Sequence, residues 1–352
     1  MTNSLNQVDP KDALMERRVK YAKMGLIVAI MTGVAQGFGG TVADIAGGMW
    51  PFYDETYGIL TLIICAYITG GLIDFFNGCW IFIWNKATRR PLAEYIRIIK
   101  TKIGVMLIVG GFLGGPCATG ALMVAIFLCG PTYALAICGL YPVFGVLSNW
   151  IVLKEKLPGR AWAGVIIVIV GATIISYSPP DGDIRPYFAV GIAFAIFSGF
   201  CYGVEGTFVS YAGDMVDPMT ASGIWRCWVS GIFQIGIIVP VLSIFAGDIT
   251  TGWTIVGQAF STGTPVLAII IAAIGTGGAI YGFYPALDMC GVGRTMALCS
   301  VAALWSIVWT SILSLFGIMT LEITGVAIVG CFVVITGALL CIANPKELIR
   351  LR

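Results

Sequence analysis

Long apolar runs, separated by short polar or glycine-rich joints, make up most of the chain. Each run is close to the ~20 residues that a helix needs to cross the hydrocarbon core of a bilayer. The pattern predicts ten transmembrane helices and therefore an all-α membrane protein. The predicted spans are 23–46, 57–85, 103–128, 131–153, 161–177, 187–211, 223–246, 265–288, 294–315 and 322–343.

The composition agrees with this pattern and excludes several function classes. Of 352 residues, 58% are hydrophobic and only 11% are charged, whereas a soluble domain carries about 25% charged residues. Histidine is absent and the net charge is +2, which excludes imidazole general bases, histidine metal sites and a basic surface for nucleic acid. The eleven cysteines form no Cys-x-x-Cys pair, which favours small core residues over a metal set. We expect no cofactor; the expected partners are a small-molecule substrate and the lipid bilayer.

The basic residues predict the orientation of the spans. If the N-terminus is cytoplasmic, all of the 20 Lys and Arg residues except Arg185 fall in cytoplasmic segments or at their edges. The first twenty residues are polar and contain no small-residue cleavage site, so no signal peptide is expected. These features predict a multi-pass plasma-membrane protein with both termini in the cytoplasm, as a monomer or homodimer.

Two halves of the chain match each other in two registers. In the first register Gly33, Gly37 and Gly40 align with Gly199, Gly203 and Gly206, and in the second register Gly114 aligns with Gly275. Each half holds five predicted spans, and because five is odd the halves must have opposite orientations, as in many secondary transporters. The predicted units are a cytoplasmic tail (1–22), two five-helix repeats (23–178 and 187–343) and a second cytoplasmic tail (344–352).

Several motifs resemble a known family. Gly114-Gly115-Pro116, Tyr141-Pro142 and the turn Lys154-Glu155-Lys156, taken with the two-copy order, resemble the EamA-type drug/metabolite transporter superfamily over nearly the whole chain. Within it, Tyr202-Gly203-Val204-Glu205 is similar to the Trp-Gly-x-Glu of bacterial choline transporters. The resemblance implies ten spans and a small cationic substrate. Gln36 stands where that family has a tryptophan in the first span.

Glu205 is the first candidate site residue. A carboxylate within an apolar span costs about 2.5–3.5 kcal/mol on insertion scales, so it points by default to a functional role. It can be the counter-ion of a cationic substrate or the carrier of a coupling proton. The structural alternative is an acid that locks helices together, with Arg226 as its partner.

Aromatic residues supply the other half of a cation site, since a cation over an aromatic face gains about 0.5–2 kcal/mol. Together with Glu205, the predicted substrate-binding residues are Tyr202, Gln36, Trp305, Tyr281, Tyr284 and Phe144. Asp74 is a second acid within a span, and Asp74, Asn77 and Ser198 are candidates for an ion-coupling or pathway role. The structural alternatives are ordinary core aromatics and polar contacts between helices.

The sequence thus predicts a secondary-active or facilitative transporter of a small organic solute, working by alternating access, and not an enzyme. A cationic or quaternary-ammonium compound such as choline is the favoured substrate. The alternative is a proton-coupled carrier or exporter of a zwitterionic or neutral metabolite, such as an amino acid or sugar. An integral-membrane lipid-modifying enzyme is a distant third, because neither histidine nor a clustered set of phosphate-binding basic residues is present.

Overall fold

The structure is a computed structural model, and it describes residues 10–88, 97–98, 100–153, 159–176, 185, 187–213, 227–290, 292–320 and 324–342. Every regular element in these ranges is helical, which confirms the predicted all-α class. Two π-helical segments with both ends among the described residues, Leu113–Thr119 and Gln234–Ile238, lie between α-helices. Cys227 and Trp228 are π-helical as well. The α-helices are α1 (Pro10–Gly47), α2 (Ile59–Ala87), α3 (Lys102–Phe112), α4 (Gly120–Cys129), α5 (Pro131–Cys138), α6 (Tyr141–Leu153), α7 (Gly159–Ser176), α8 (Phe188–Gly213), α9 (Val229–Phe233), α10 (Val239–Phe245), α11 (Thr251–Thr262), α12 (Thr264–Cys290), α13 (Val292–Cys299), α14 (Ala302–Leu315) and α15 (Gly325–Ile342).

The helices identify a multi-pass membrane protein. Five helical stretches in the described ranges are long and apolar enough to cross a bilayer. They are Val19–Gly47, Ile59–Ala87, Lys102–Cys129, Phe188–Gly206 and Thr264–Leu287. Shorter apolar helices occupy Trp162–Ile175, Val229–Phe245, Ala302–Leu315 and Gly325–Leu340. Large apolar side chains such as Ile27, Ile83 and Leu267 lie exposed on the outside, where lipid would solvate them.

The helix bounds differ from the predicted spans in several ways. Helix α1 begins at Pro10, whereas the first span was predicted from residue 23. The predicted spans 131–153 and 294–315 are each interrupted, by turns at 139–140 and at 300–301. These two turns occupy equivalent positions in the second register of the sequence repeat. In addition, α11 is a helix that the apolar-run pattern did not predict, since its twelve residues include Gln258 and several threonines.

The two long helices α1 and α8 are packed in the same way. Helix α1 contacts α12, α13 and α14, while α8 contacts the α3–α4 stretch, α5 and α6. Glycines permit the closest approaches: a Cβ on Gly37 would lie 2.8 Å from the carbonyl oxygen of Ala302, and a Cβ on Gly203 would lie 2.7 Å from that of Tyr141. Both distances are too short for any larger residue, so α1 and α8 each need glycine at the same place.

An ion pair joins helices at one end of the bundle. Arg185 donates to Asp44 through two hydrogen bonds of 2.6 and 2.9 Å, and its Nη1 also donates to the carbonyls of Ile126 and Phe127. Asp44 lies near the C-terminal end of α1 and is 7% exposed, while Arg185 precedes α8 and is 26% exposed. The pair borders a cavity of about 550 Å³ that Met49, Tyr53 and Thr320 also line. Arg185 therefore connects α1, α4 and the segment that leads into α8.

Replacing Arg185 should destabilise the protein, because the buried carboxylate of Asp44 would lose its partner. We expect Arg185→Gln to lower the unfolding free energy by about 2–3 kcal/mol, less than for a fully buried pair because Arg185 is partly exposed. Thermal unfolding in detergent measures this, with Arg160→Gln on the exposed side of α7 as the matched control. Equal unfolding temperatures for the two variants would contradict a stabilising role for the pair.

Candidate functional site

A cavity of about 110 Å³ lies in the interior of the bundle. Its volume is below the ~300 Å³ lower bound of drug-sized pockets, so it suits a small solute. The lining comes from α1, α2, α4, α5, α6, α8, α12, α13, α14 and the π-helical segment before α4. The polar and aromatic lining residues are Thr32, Gln36, Asp74, Thr119, Tyr141, Tyr202, Glu205, Thr276, Phe283, Tyr284 and Ser300.

Glu205 lies on α8 and is only 3% exposed. The hydroxyl of Tyr284, on α12, donates to its Oε1 at 3.1 Å. Its carboxyl group also lies against Gly114, where an added Cβ would overlap all three carboxyl atoms. Gly114 belongs to the π-helical segment Leu113–Thr119, so this segment gives the acid its room while α12 gives it a hydrogen bond.

Tyr202 lies three residues before Glu205 and forms the neighbouring wall. Its hydroxyl hydrogen-bonds to Thr119 Oγ1 at 2.9 Å, and its ring lies edge-on to that of Tyr141 at 6.4 Å. Tyr141 in turn donates its hydroxyl to the backbone carbonyl of Met296 on α13. These contacts fix two tyrosine rings in the wall of the cavity that Glu205 also lines. Aromatic rings and a carboxylate around one cavity are a combination that binds organic cations.

Five of the ten predicted site residues line this cavity. They are Gln36, Asp74, Tyr202, Glu205 and Tyr284. The other predicted residues do not line it. Phe144 and Trp305 pack with their Cβ atoms against Gly203 and Gly37, respectively. The ring of Tyr281 lies edge-on to that of Trp84, with the ring centroids 6.2 Å apart. Asn77 accepts a hydrogen bond from Thr276, and Ser198 donates one of 2.8 Å to the carbonyl of Ala118.

Twelve of the twenty lining residues form pairs that follow the two registers of the sequence repeat. In the first register Gln36 matches Tyr202, and both line the cavity. In the second register the matched lining pairs are Thr119 and Ile280, Leu122 and Phe283, Met123 and Tyr284, Cys138 and Cys299, and Tyr141 and Ala302. Tyr141 and Thr119 were not among the predicted site residues. The repeat does not lead to them, because their counterparts Ala302 and Ile280 were not predicted either. It does link the predicted residue Tyr284 to Met123, which also lines the cavity.

Asp74, on α2, lies at another part of the cavity wall and is 1% exposed. Its Oδ2 accepts hydrogen bonds from Ser230 Oγ and, at 3.1 Å, from Gln234 Nε2. Sequence reasoning missed both donors, although their spacing of four places them on one helical face. Arg226, the suggested alternative partner of Glu205, lies outside the described residues. Within those residues no cluster of three or more His, Cys, Asp and Glu side chains could hold a metal ion.

Comparison with known proteins finds a short sequence match and a structural likeness over most of the chain. No family model matches the chain. It is 32% identical to Protein LicB of Haemophilus influenzae over 66 residues, which are 19% of this chain and 23% of LicB. The match thus covers less than a quarter of that relative. A solved structure titled only "Crystal structure of protein" has a TM-score of 0.53 at 14% identity, with 90% of this chain and 96% of that chain covered. At this identity the likeness shows a shared fold alone.

Proposed function

We propose that the protein is a secondary-active or facilitative carrier that moves a small organic solute across the plasma membrane by alternating access. In this proposal ten spans form two inverted five-helix halves, and the cavity beside Glu205 holds the solute. A small cationic compound, such as a quaternary ammonium ion of the choline type, is the favoured substrate. Each part of the proposal has its own support.

The paired lining residues support the two-half plan. A cavity on the axis between two related halves is lined by equivalent residues from both, and the pairs in both registers of the repeat have this property. The equivalent glycine contacts of α1 and α8 and the matching turns at 139–140 and 300–301 agree with it. Carriers of this plan bind substrate where the repeats meet.

The observation that carries the substrate class is the placement of Glu205 beside Tyr202, Tyr141 and Tyr284 around one small cavity. A cation in the cavity would interact with the carboxylate and with aromatic faces at once. In the low-dielectric interior both interactions are stronger than in water. The resemblance of Tyr202–Glu205 to the motif of choline transporters points to the same class.

A second candidate substrate is a neutral or zwitterionic metabolite. The observation that favours it is the set of uncharged polar groups on the lining, with Thr32 and Gln36 on α1 and Ser300 in the turn before α14. Such groups bind hydroxyl or carboxylate oxygens of a solute. Thermal stabilisation of the purified protein by choline, betaine, amino acids and sugars separates the candidates.

Uptake of radiolabelled choline into proteoliposomes is the direct test. We expect Glu205→Gln to lower uptake about 10–100-fold, because it removes the charge that a cation requires while keeping the size of the side chain. Asp54→Asn is the matched control, since Asp54 is an acid in the 48–58 loop that does not line the cavity; hydrogen bonds from Thr56 hold its pKa below the usual value. Full choline uptake by Glu205→Gln would remove this residue from the mechanism. If a neutral solute stabilises the protein and no cation does, the second candidate replaces the first.

A substitution in the π-helical segment Leu113–Thr119 should displace the carboxyl group of Glu205 without replacing Glu205 itself. We expect Gly114→Ala to weaken solute binding about tenfold or more, because the new methyl group would occupy the place of the Glu205 carboxyl group. Gly236→Ala is the control: it lies in the other π-helical segment, and no atom lies within 4 Å of its added Cβ. The apparent Km of uptake measures the effect. The same Km in both variants would show that the carboxyl group does not depend on Gly114 for its position.

A further inference from the structure

The structure places a second polar cluster next to the cavity, outside the group around Glu205. Asp74, Ser230 and Gln234 contact one another: Gln234 Nε2 lies 3.1 Å from Asp74 Oδ2 and 3.0 Å from Ser230 Oγ, and Ser230 Oγ donates to the same Oδ2. Ser230 and Gln234 are fully buried and Asp74 is 1% exposed. Three polar groups thus form a closed triangle within the apolar interior.

One buried atom of this cluster has no partner among the residues that the structure describes. This atom is Gln234 Oε1. Thr69 Oγ1 on α2 is a second buried oxygen without a hydrogen-bond partner among those residues. Gln234 Oε1 lies close to Gly70, 3.0 Å from where a Cβ would be, so it faces the α2 turn next to Asp74. A buried oxygen without a partner costs about 1–3 kcal/mol. This cost would be relieved if the amide turned its oxygen towards a group bound beside Asp74 and Ser230.

The backbone at this place is also unusual. Gln234 begins the π-helical segment Gln234–Ile238, and its carbonyl accepts from the amide of Val239, five residues on. π-helical turns change the α-helical hydrogen-bond pattern and often occur at functional sites. In membrane carriers, irregular helix segments supply oxygens that bind coupling ions. Gln234, a member of the polar cluster, therefore lies where the α-helical hydrogen-bond pattern of this stretch changes.

We propose that Asp74, Ser230 and Gln234 form a binding site for a sodium ion. The inference rests on the proposed transport function, in which the bound ion would be the coupling ion. Ser230 and Gln234 each carry an oxygen that can turn towards a cation: the serine hydroxyl rotates, and a half-turn of the amide exchanges Nε2 for Oε1. With one carboxylate oxygen, this set offers hard oxygen ligands to a hard cation, and its single negative charge matches a monovalent ion.

Ion binding can be measured without any solute. Thermal unfolding of the purified full-length protein in detergent is compared in sodium chloride and in potassium chloride at equal ionic strength. We expect sodium to raise the unfolding temperature by about 3 °C once it exceeds its dissociation constant about tenfold. Asp74→Asn and Gln234→Leu should abolish the difference between the two salts. Ser243→Ala is the control, because Ser243 is a fully buried serine on α10 outside the cluster.

The outcomes separate the ion site from the transport function. A sodium shift that disappears in Asp74→Asn and Gln234→Leu but persists in Ser243→Ala supports the site, whether or not choline is taken up. No shift in the wild type overturns the inference, and so does a shift that Asp74→Asn retains. If either cluster variant fails to fold, the other and Ser230→Ala supply the same comparison. The transport proposal fails separately, by the absence of uptake for every solute tested.

Discussion

A carboxylate inside a helical membrane protein needs both room and hydrogen-bond donors, and Glu205 obtains them from two different helices. Gly114 provides the room because it has no side chain, and Tyr284 provides a donor from α12. The π-helical segment that carries Gly114 contacts α8, whereas α12 packs mainly against α1 and α2. The surroundings of one acid thus depend on the correct docking of helices from distant parts of the chain, and the glycine contacts of α1 and α8 serve that docking.

The helices could be predicted closely because apolar runs of about twenty residues are a strong signal. Helix α2, for example, runs from Ile59 to Ala87 where 57–85 was predicted. The turns at 139–140 and 300–301 could not be predicted in the same way, since the apolar runs continue through both of them. Gly139 and Pro142 accompany the first turn, whereas neither proline nor charge marks the second. Helix α11 was missed because it is too short to span and mixes polar with apolar residues. Both cases depend on packing, which hydropathy does not measure.

The candidate site shows the same division. Glu205 and Asp74 stood out because an acid in an apolar span is rare, and the repeat linked Gln36 to Tyr202; the structure brings all four to one cavity. Hydropathy alone does not show which face of a helix lines the cavity. Phe144 and Trp305 follow the cavity residues Tyr141 and Ala302 by three positions, yet their Cβ atoms contact the glycines of α8 and α1. The role of Ser230 and Gln234 as hydrogen-bond donors to Asp74 follows only from the packing of their helix against α2.

The matched lining pairs have a consequence for the proposed transport cycle. In an inverted repeat with identical halves, the states open to either side of the membrane would be equivalent by symmetry and equal in energy. Here the pairs are chemically unlike, with glutamine opposite tyrosine at Gln36 and Tyr202, and methionine opposite tyrosine at Met123 and Tyr284. Glu205 has only Gly39 as its counterpart. In the proposed cycle the two states therefore differ in energy, because the two halves place different side chains at the cavity.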